Sequence, residues 1–78
     1  MAPSSFHIEP AEVPLWSTFE VDRVNDYAAS LTVLFALSDP ALAFLDRLVR
    51  GLYTSVGASA ENAMDAMAGA CIAMRREP

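Results

Sequence analysis

Two breaks divide the chain after its first seventeen residues into three segments with helical periodicity. The first break is Ser38-Asp39-Pro40, and the second is Gly57. Asp39 is a favourable N-cap, and Pro40 suits a first helical position because its missing N–H would be unpaired there anyway. Gly57 adopts the left-handed conformation without strain and predicts a helix end. The predicted helices cover about residues 18–37, 40–56 and 60–76.

The first helix has the clearest start. Ser17 can cap its free N–H groups, and Glu20 three residues later can bond back, which is a capping box. Apolar residues then recur at helical spacing, and Ser59 begins the third helix. The prediction is an all-α protein: a small three-helix bundle forming a single domain over residues 1–78, with an extended, proline-containing lead over residues 1–17.

The small size of the chain restricts its function. With 78 residues, folding buries only about 60% of the surface of the unfolded chain, which leaves little core for a deep active-site cleft. No catalytic residue is predicted. His7 lies in the lead beside a single carboxylate, and Cys71 falls on the apolar side of the third helix, where a free cysteine acts as a small hydrophobe.

The same residues predict neither a cofactor nor a metal site. The histidine and the cysteine are 64 positions apart, and no glycine-rich phosphate loop is present. Glu61 and Asp65 are spaced four apart, which indicates an exposed, mildly repulsive pair more than a cation site.

The net charge of −5 is concentrated near the N-terminus. Up to Asp26 there are five carboxylates against one cation, Arg23. Direct nucleic-acid binding is not expected, because no basic stripe exists to displace counterions from phosphates. An acidic surface of this kind suits a basic protein partner.

The longest stretch of low charge does not predict a membrane span. Residues 27–45 contain a single charge, which approaches the length of a membrane span. However, Asp39 and Pro40 interrupt this run, so two core helices are the preferred interpretation. The single cysteine and the absence of a signal-peptide pattern predict a cytoplasmic protein.

The lead is unusually apolar for a segment that Pro10 and Pro14 prevent from being a continuous helix. One interpretation is that it packs on the bundle and completes a small core. The other is that it binds a partner protein, with apolar anchors surrounded by an acidic rim. The partner-binding residues predicted on this basis are Phe6, Ile8, Glu9, Glu12, Trp16, Glu20, Asp22 and Asp26.

The third helix offers an alternative function. Its small residues, including Gly69, permit close approach of another backbone, while Met64, Met67 and Met74 line one flank. These residues either pack within the chain or form a dimer seam. The alternative to a partner-binding inhibitor is therefore a homo-oligomeric helical adaptor or antitoxin-type module.

The C-terminal segment ENAMDAMAGACIAMRREP resembles the end of a small anti-CRISPR protein family directed at type I CRISPR complexes. The shared elements are Glu61-Asn62-Ala63-Met64 and Arg75-Arg76-Glu77-Pro78. The resemblance covers the last fifth of the chain, and the remainder departs from that family, whose body is β-rich. It implies a non-catalytic inhibitor that occupies a site on a nucleic-acid-binding bacterial complex, with a type I CRISPR subunit as the partner.

Overall fold

The computed structural model describes residues 6–76, which form three α-helices and one short 3-10 turn without any β-strand. The helices are α1 (Thr18–Leu34), α2 (Asp39–Val56) and α3 (Ala60–Arg76), and the 3-10 turn is Pro10–Glu12. Helix α3 packs against both α1 and α2. The predicted all-α class is confirmed.

Local side-chain bonds fix the helix starts. Ser17 and Glu20 form the predicted capping box: the Glu20 N–H donates to the Ser17 hydroxyl at 3.1 Å, and the Ser17 N–H donates to the Glu20 carboxylate at 2.8 Å. Helix α2 is capped by Ser38 instead of Asp39, because the Ser38 hydroxyl accepts from the Ala41 N–H. The Ser59 hydroxyl likewise accepts from the first turn of α3.

Helix α1 ends three residues before its predicted limit of residue 37. Ala36 takes a left-handed conformation with φ of 50°. The Leu37 N–H then donates to the Thr32 carbonyl at 3.0 Å, and the Ala36 N–H donates to the Val33 carbonyl at 3.3 Å. These two bonds close the helix in the manner of a Schellman motif. Apolar periodicity continues through this turn and therefore overestimates the length of the helix.

Gly57 ends α2 as predicted, with φ of 60°.

The N-terminal segment, defined here as residues 6–16, is not extended throughout. The turn at Pro10–Glu12 interrupts it, and the Glu9 N–H donates to the Glu12 carboxylate at 2.8 Å. The segment lies along α1 and α2, and it contributes Ile8, Val13 and Trp16 to the buried core. The core is completed by α1, α2 and α3; its largest fully buried side chains are Ile8, Leu45, Met67, Val21, Val24, Val49 and Cys71.

Within residues 6–76, no helix is both long enough and apolar enough to span a membrane. Residues 1–5, which belong to the predicted lead, and Glu77-Pro78 of the C-terminal segment lie outside the described residues.

Candidate protein-binding surface

Trp16, predicted as a partner anchor, is instead part of the core, with 6% of its surface exposed. Its indole N–H donates to the Ala58 carbonyl at 2.9 Å, and its ring meets Tyr53 edge-on with centroids 5.4 Å apart. A buried, hydrogen-bonded indole cannot reach another protein while this packing persists. The anchor role predicted for Trp16 is therefore corrected to a role in stability.

The partner-binding role predicted for Ile8 is also corrected, because none of its surface is exposed. Its N–H donates to the Asn25 side-chain oxygen, and its carbonyl accepts from the Asn25 side-chain nitrogen, both at 2.9 Å. Phe6 is half-buried against the same core. The interpretation that the segment packs on the bundle accounts for these apolar residues.

Three of the five predicted acidic rim residues make contacts within the chain. Glu9 pairs with His7 at 2.8 Å, Glu12 pairs with Arg50, and Glu20 serves the capping box. The hydrogen bond from the Glu9 N–H, followed by that from Arg50, lowers the pKa of the Glu12 carboxyl below its ordinary value. Only the Glu12 contact joins the N-terminal segment to a helix, α2, whereas the Glu9 and Glu20 contacts are local.

Arg50 joins the N-terminal segment to α2. Besides Glu12, its guanidinium donates to the Asp46 carboxylate at 2.9 Å and to the His7 carbonyl at 3.1 Å. Hydrogen bonds to these two carboxylates, with Glu12 the larger effect, raise the pKa of Arg50. One side chain thus satisfies groups from two regions of the segment.

Asp22 and Asp26 are the predicted acidic residues that remain available. Both are exposed, and neither forms an ion pair with any residue in the range 6–76. The neighbouring cation, Arg23, is engaged by Glu61 at 2.9 Å and lies 6.0 Å from the centre of the Phe19 ring. The two free carboxylates are four residues apart, so they share one face of α1.

The same face also carries large exposed apolar side chains near both ends of the helix. Phe19 is 69% exposed, Val33 is 81% exposed and Leu34 is 69% exposed. At 1.5 Å per residue, Phe19 and Val33 are separated by about 21 Å along the helix axis. We call this surface the outer face of α1; it comprises Phe19, Asp22, Asp26, Ala29, Ser30, Val33 and Leu34.

The outer face combines three properties of a docking surface. Large apolar side chains stand at its two ends, two unpaired carboxylates lie between them, and the small residues Ala29 and Ser30 leave room for a close approach. A helix that is apolar on its outward side as well as its inward side is normally covered. Large exposed apolar side chains with polar groups beside them are typical of interaction sites.

Sequence reasoning missed Phe19, Ala29, Ser30, Val33 and Leu34 as candidate site residues. The available signal was that the second half of α1 is apolar on nearly every side, whereas the buried stripe of that half consists only of Ala28 and Leu31.

Among residues 6–76, no three His, Cys, Asp or Glu side chains are grouped closely enough to hold a metal ion. Cys71 is 1% exposed, and burial raises the pKa of its thiol, which favours the unreactive protonated form. It borders an open cavity of about 290 Å³ between the α1–α2 turn and the end of α3, together with Phe35, Leu37 and Met74.

Comparison with the models of known families, with curated proteins and with solved structures finds no match for this chain. The functional conclusion therefore depends on exposure, charge and contacts within the molecule.

Proposed function

We propose that this protein is a non-catalytic binding protein that acts by docking the outer face of α1 on another protein. The observation that carries the proposal is that the exposed Val33 and Leu34 share one face of α1 with the carboxylates of Asp22 and Asp26, which form no ion pair within residues 6–76. We place this interaction in the cytoplasm, a reducing compartment compatible with the single free cysteine.

The charge of the outer face favours a basic partner. Asp22 and Asp26 pair with no cation of residues 6–76, so they attract Lys or Arg side chains and steer the encounter, whereas the apolar ends supply contact area once water is excluded. The steering component weakens with ionic strength because the carboxylates are exposed. Association is therefore expected to slow in high salt while its apolar component persists.

The specific form of this proposal is an inhibitor of a nucleic-acid-binding bacterial complex, of the anti-CRISPR type that the C-terminal segment resembles. A basic surface that holds phosphates would also accept Asp22 and Asp26. The probe is a purified type I CRISPR complex, and the measurement is its binding of target DNA with and without the protein. Undiminished DNA binding at a large molar excess of the protein would contradict the anti-CRISPR form and leave binding of other proteins open.

The surface itself is tested with variants in a partner-capture experiment. Val33→Asp introduces a third carboxylate into the apolar end of the outer face, and Asp22→Lys with Asp26→Lys reverses its charge. Both variants should retain the helical circular dichroism and lose the captured partner. Val56→Asp is the matched control, since Val56 is 72% exposed at the end of α2 and lies outside this face. Equal capture by wild type and by the α1 variants contradicts the proposal.

The homo-oligomeric alternative depends on a different surface. Gly69 is exposed on α3 with no neighbouring atom within 4 Å of the position of an added Cβ, and Ile72 beside it is 51% exposed. Gly69→Leu should dissociate an oligomer formed there, which light scattering would detect. A wild-type chain that is monomeric at high micromolar concentration excludes this alternative. Self-association through the outer face of α1 is disfavoured because it would bring four carboxylates together.

A further inference from the structure

The first part of the N-terminal segment is held in the way that proteins hold a bound peptide. The Asn25 side chain bonds to both the N–H and the carbonyl of Ile8, and Arg50 bonds to the carbonyl of His7. The side chains alternate, with Phe6 and Ile8 directed toward the core and His7 exposed. Residues 6–9, which we call the arm, thus occupy a groove between α1 and α2.

The groove contacts the backbone of the arm through one set of residues and its side chains through another. Asn25 and Arg50 bond to main-chain groups that every peptide possesses, so they select an extended conformation without selecting a sequence. The positions of Phe6 and Ile8 add a requirement for apolar residues two apart. Main-chain bonds combined with pockets for alternate side chains are the usual means of binding an extended peptide.

We propose that the groove between α1 and α2 is a binding site for an extended peptide of a partner protein, and that the arm occupies it in cis. The partner segment carries two apolar residues separated by one residue, of which the first is a large aromatic residue. This inference concerns the groove, which shares Ala29 with the outer face of α1, and it does not depend on the function proposed for that face.

A cavity in the groove indicates why a partner can replace the arm. A space of about 210 Å³ lies beside Phe6, bordered by Ala29, Thr32 and Leu42. Phe6 leaves it unfilled, so a larger aromatic side chain gains contacts that the arm lacks. A second copy of this chain offers only the same Phe6, and it competes with an arm whose tethering gives an effective concentration in the millimolar range.

The position of the arm permits such a replacement. Val13 and Trp16 are buried further along the segment, so the chain remains anchored when residues 6–9 leave the groove. Local segments of a domain can open at a lower free energy than its global unfolding. Because α3 packs against both α1 and α2, we expect opening of the arm to expose Asn25 and the Ile8 position while these helix contacts persist.

The experiment uses the full-length protein labelled with ¹⁵N and a blocked synthetic peptide of residues 4–9 that carries Phe6→Trp. Binding should move the Ile8 backbone amide resonance of the protein to its position in an unbound chain, while the Asn25 side-chain amide stays hydrogen-bonded. Phe6→Ala in the protein weakens the arm, so the peptide should bind this variant at least tenfold more tightly than wild type.

Two control peptides test the groove without altering the protein. A peptide methylated on the Ile8 backbone nitrogen cannot donate to Asn25, and one with Ile8→Asp cannot enter the apolar position; each should bind at least tenfold more weakly. An Ile8 amide that does not move at millimolar peptide, in either wild type or a folded Phe6→Ala variant, overturns the proposal. A dimer that exchanges arms in the absence of peptide overturns the choice of a partner protein in favour of a second copy.

Discussion

The N-terminal segment and the outer face of α1 use apolar residues in opposite ways. The segment has little regular structure, yet Ile8, Val13 and Trp16 are buried. Helix α1 is regular, yet Val33 and Leu34 remain largely exposed on it. Burial and regular structure are therefore separate properties in this protein. The irregular segment completes the core, and the regular helix supplies the surplus apolar surface.

The difference follows from how each region satisfies its backbone. Helix α1 pairs its own N–H and carbonyl groups, so exposed side chains such as Val33 and Leu34 are not needed to satisfy its backbone. The segment lacks such a ladder and relies on distant side chains, because buried backbone groups need partners. Asn25 and Arg50 provide these bonds, and Tyr53 adds another by accepting from the Leu15 N–H at 2.9 Å. The position of the segment consequently depends on tertiary structure.

The largest expected effect is that of Ile8→Ala. Removal of a fully buried Ile side chain costs about 2–5 kcal/mol of the free energy of unfolding, because apolar contacts are lost and a cavity remains. Urea denaturation followed by circular dichroism measures this loss. A cost below about 0.5 kcal/mol would mean that the segment is not part of the core, and the contrast with α1 would disappear.

A smaller loss is expected for Trp16→Phe. The variant keeps most of the apolar volume but removes the indole N–H, which leaves the Ala58 carbonyl without its donor in a buried site. Such an unpaired group costs about 1–3 kcal/mol. Leu15→Ala is the neighbouring control, since Leu15 is 75% exposed and donates only through its backbone. Equal destabilisation by the two variants in urea titrations would contradict the assignment of Trp16 to the core.

The ion pair between Glu12 and Arg50 predicts a modest pH dependence. The pKa of Glu12 in the folded protein is lower than its ordinary value of 4.5. A lowered folded pKa stabilises the protein above the unfolded pKa, and this stabilisation is lost as the pH falls through the folded value. Glu12→Gln should therefore be less stable than wild type at pH 6, and the difference should shrink below pH 4.

The urea midpoints of wild type and Glu12→Gln, each determined at pH 6 and at pH 3, measure this effect. Asp65→Asn, on the exposed side of α3, is the control. If the midpoints of Glu12→Gln and wild type differ by the same amount at both pH values, the ion pair does not hold the segment.

Short-range sequence signals predicted the helices, whereas the position of the N-terminal segment depends on contacts between residues far apart in the sequence. The Ser17 capping box and the Gly57 helix end each depend on residues within a few positions, and both were recognisable in the sequence. The bond from Ile8 to Asn25 spans 17 residues, and that from Trp16 to Ala58 spans 42. No periodicity in the N-terminal segment indicates these partners. The prediction of Glu12 as a partner-binding residue was limited in the same way, since its pairing with Arg50 is visible only in the folded chain.

The smallest expected effect is that of Val33→Ala, the helical counterpart of Ile8→Ala. Both changes shorten an aliphatic side chain, but the Val33 side chain already contacts solvent. The loss of contacts should therefore be small, and alanine has the higher helix propensity, so the free energy of unfolding should stay within about 0.5 kcal/mol of wild type or rise. Urea denaturation alongside Ile8→Ala provides the matched comparison. Partner capture by Val33→Ala should nevertheless decrease, because the apolar end of the outer face is smaller. A stability loss above about 1 kcal/mol would instead assign Val33 to the core and remove it from the proposed docking surface.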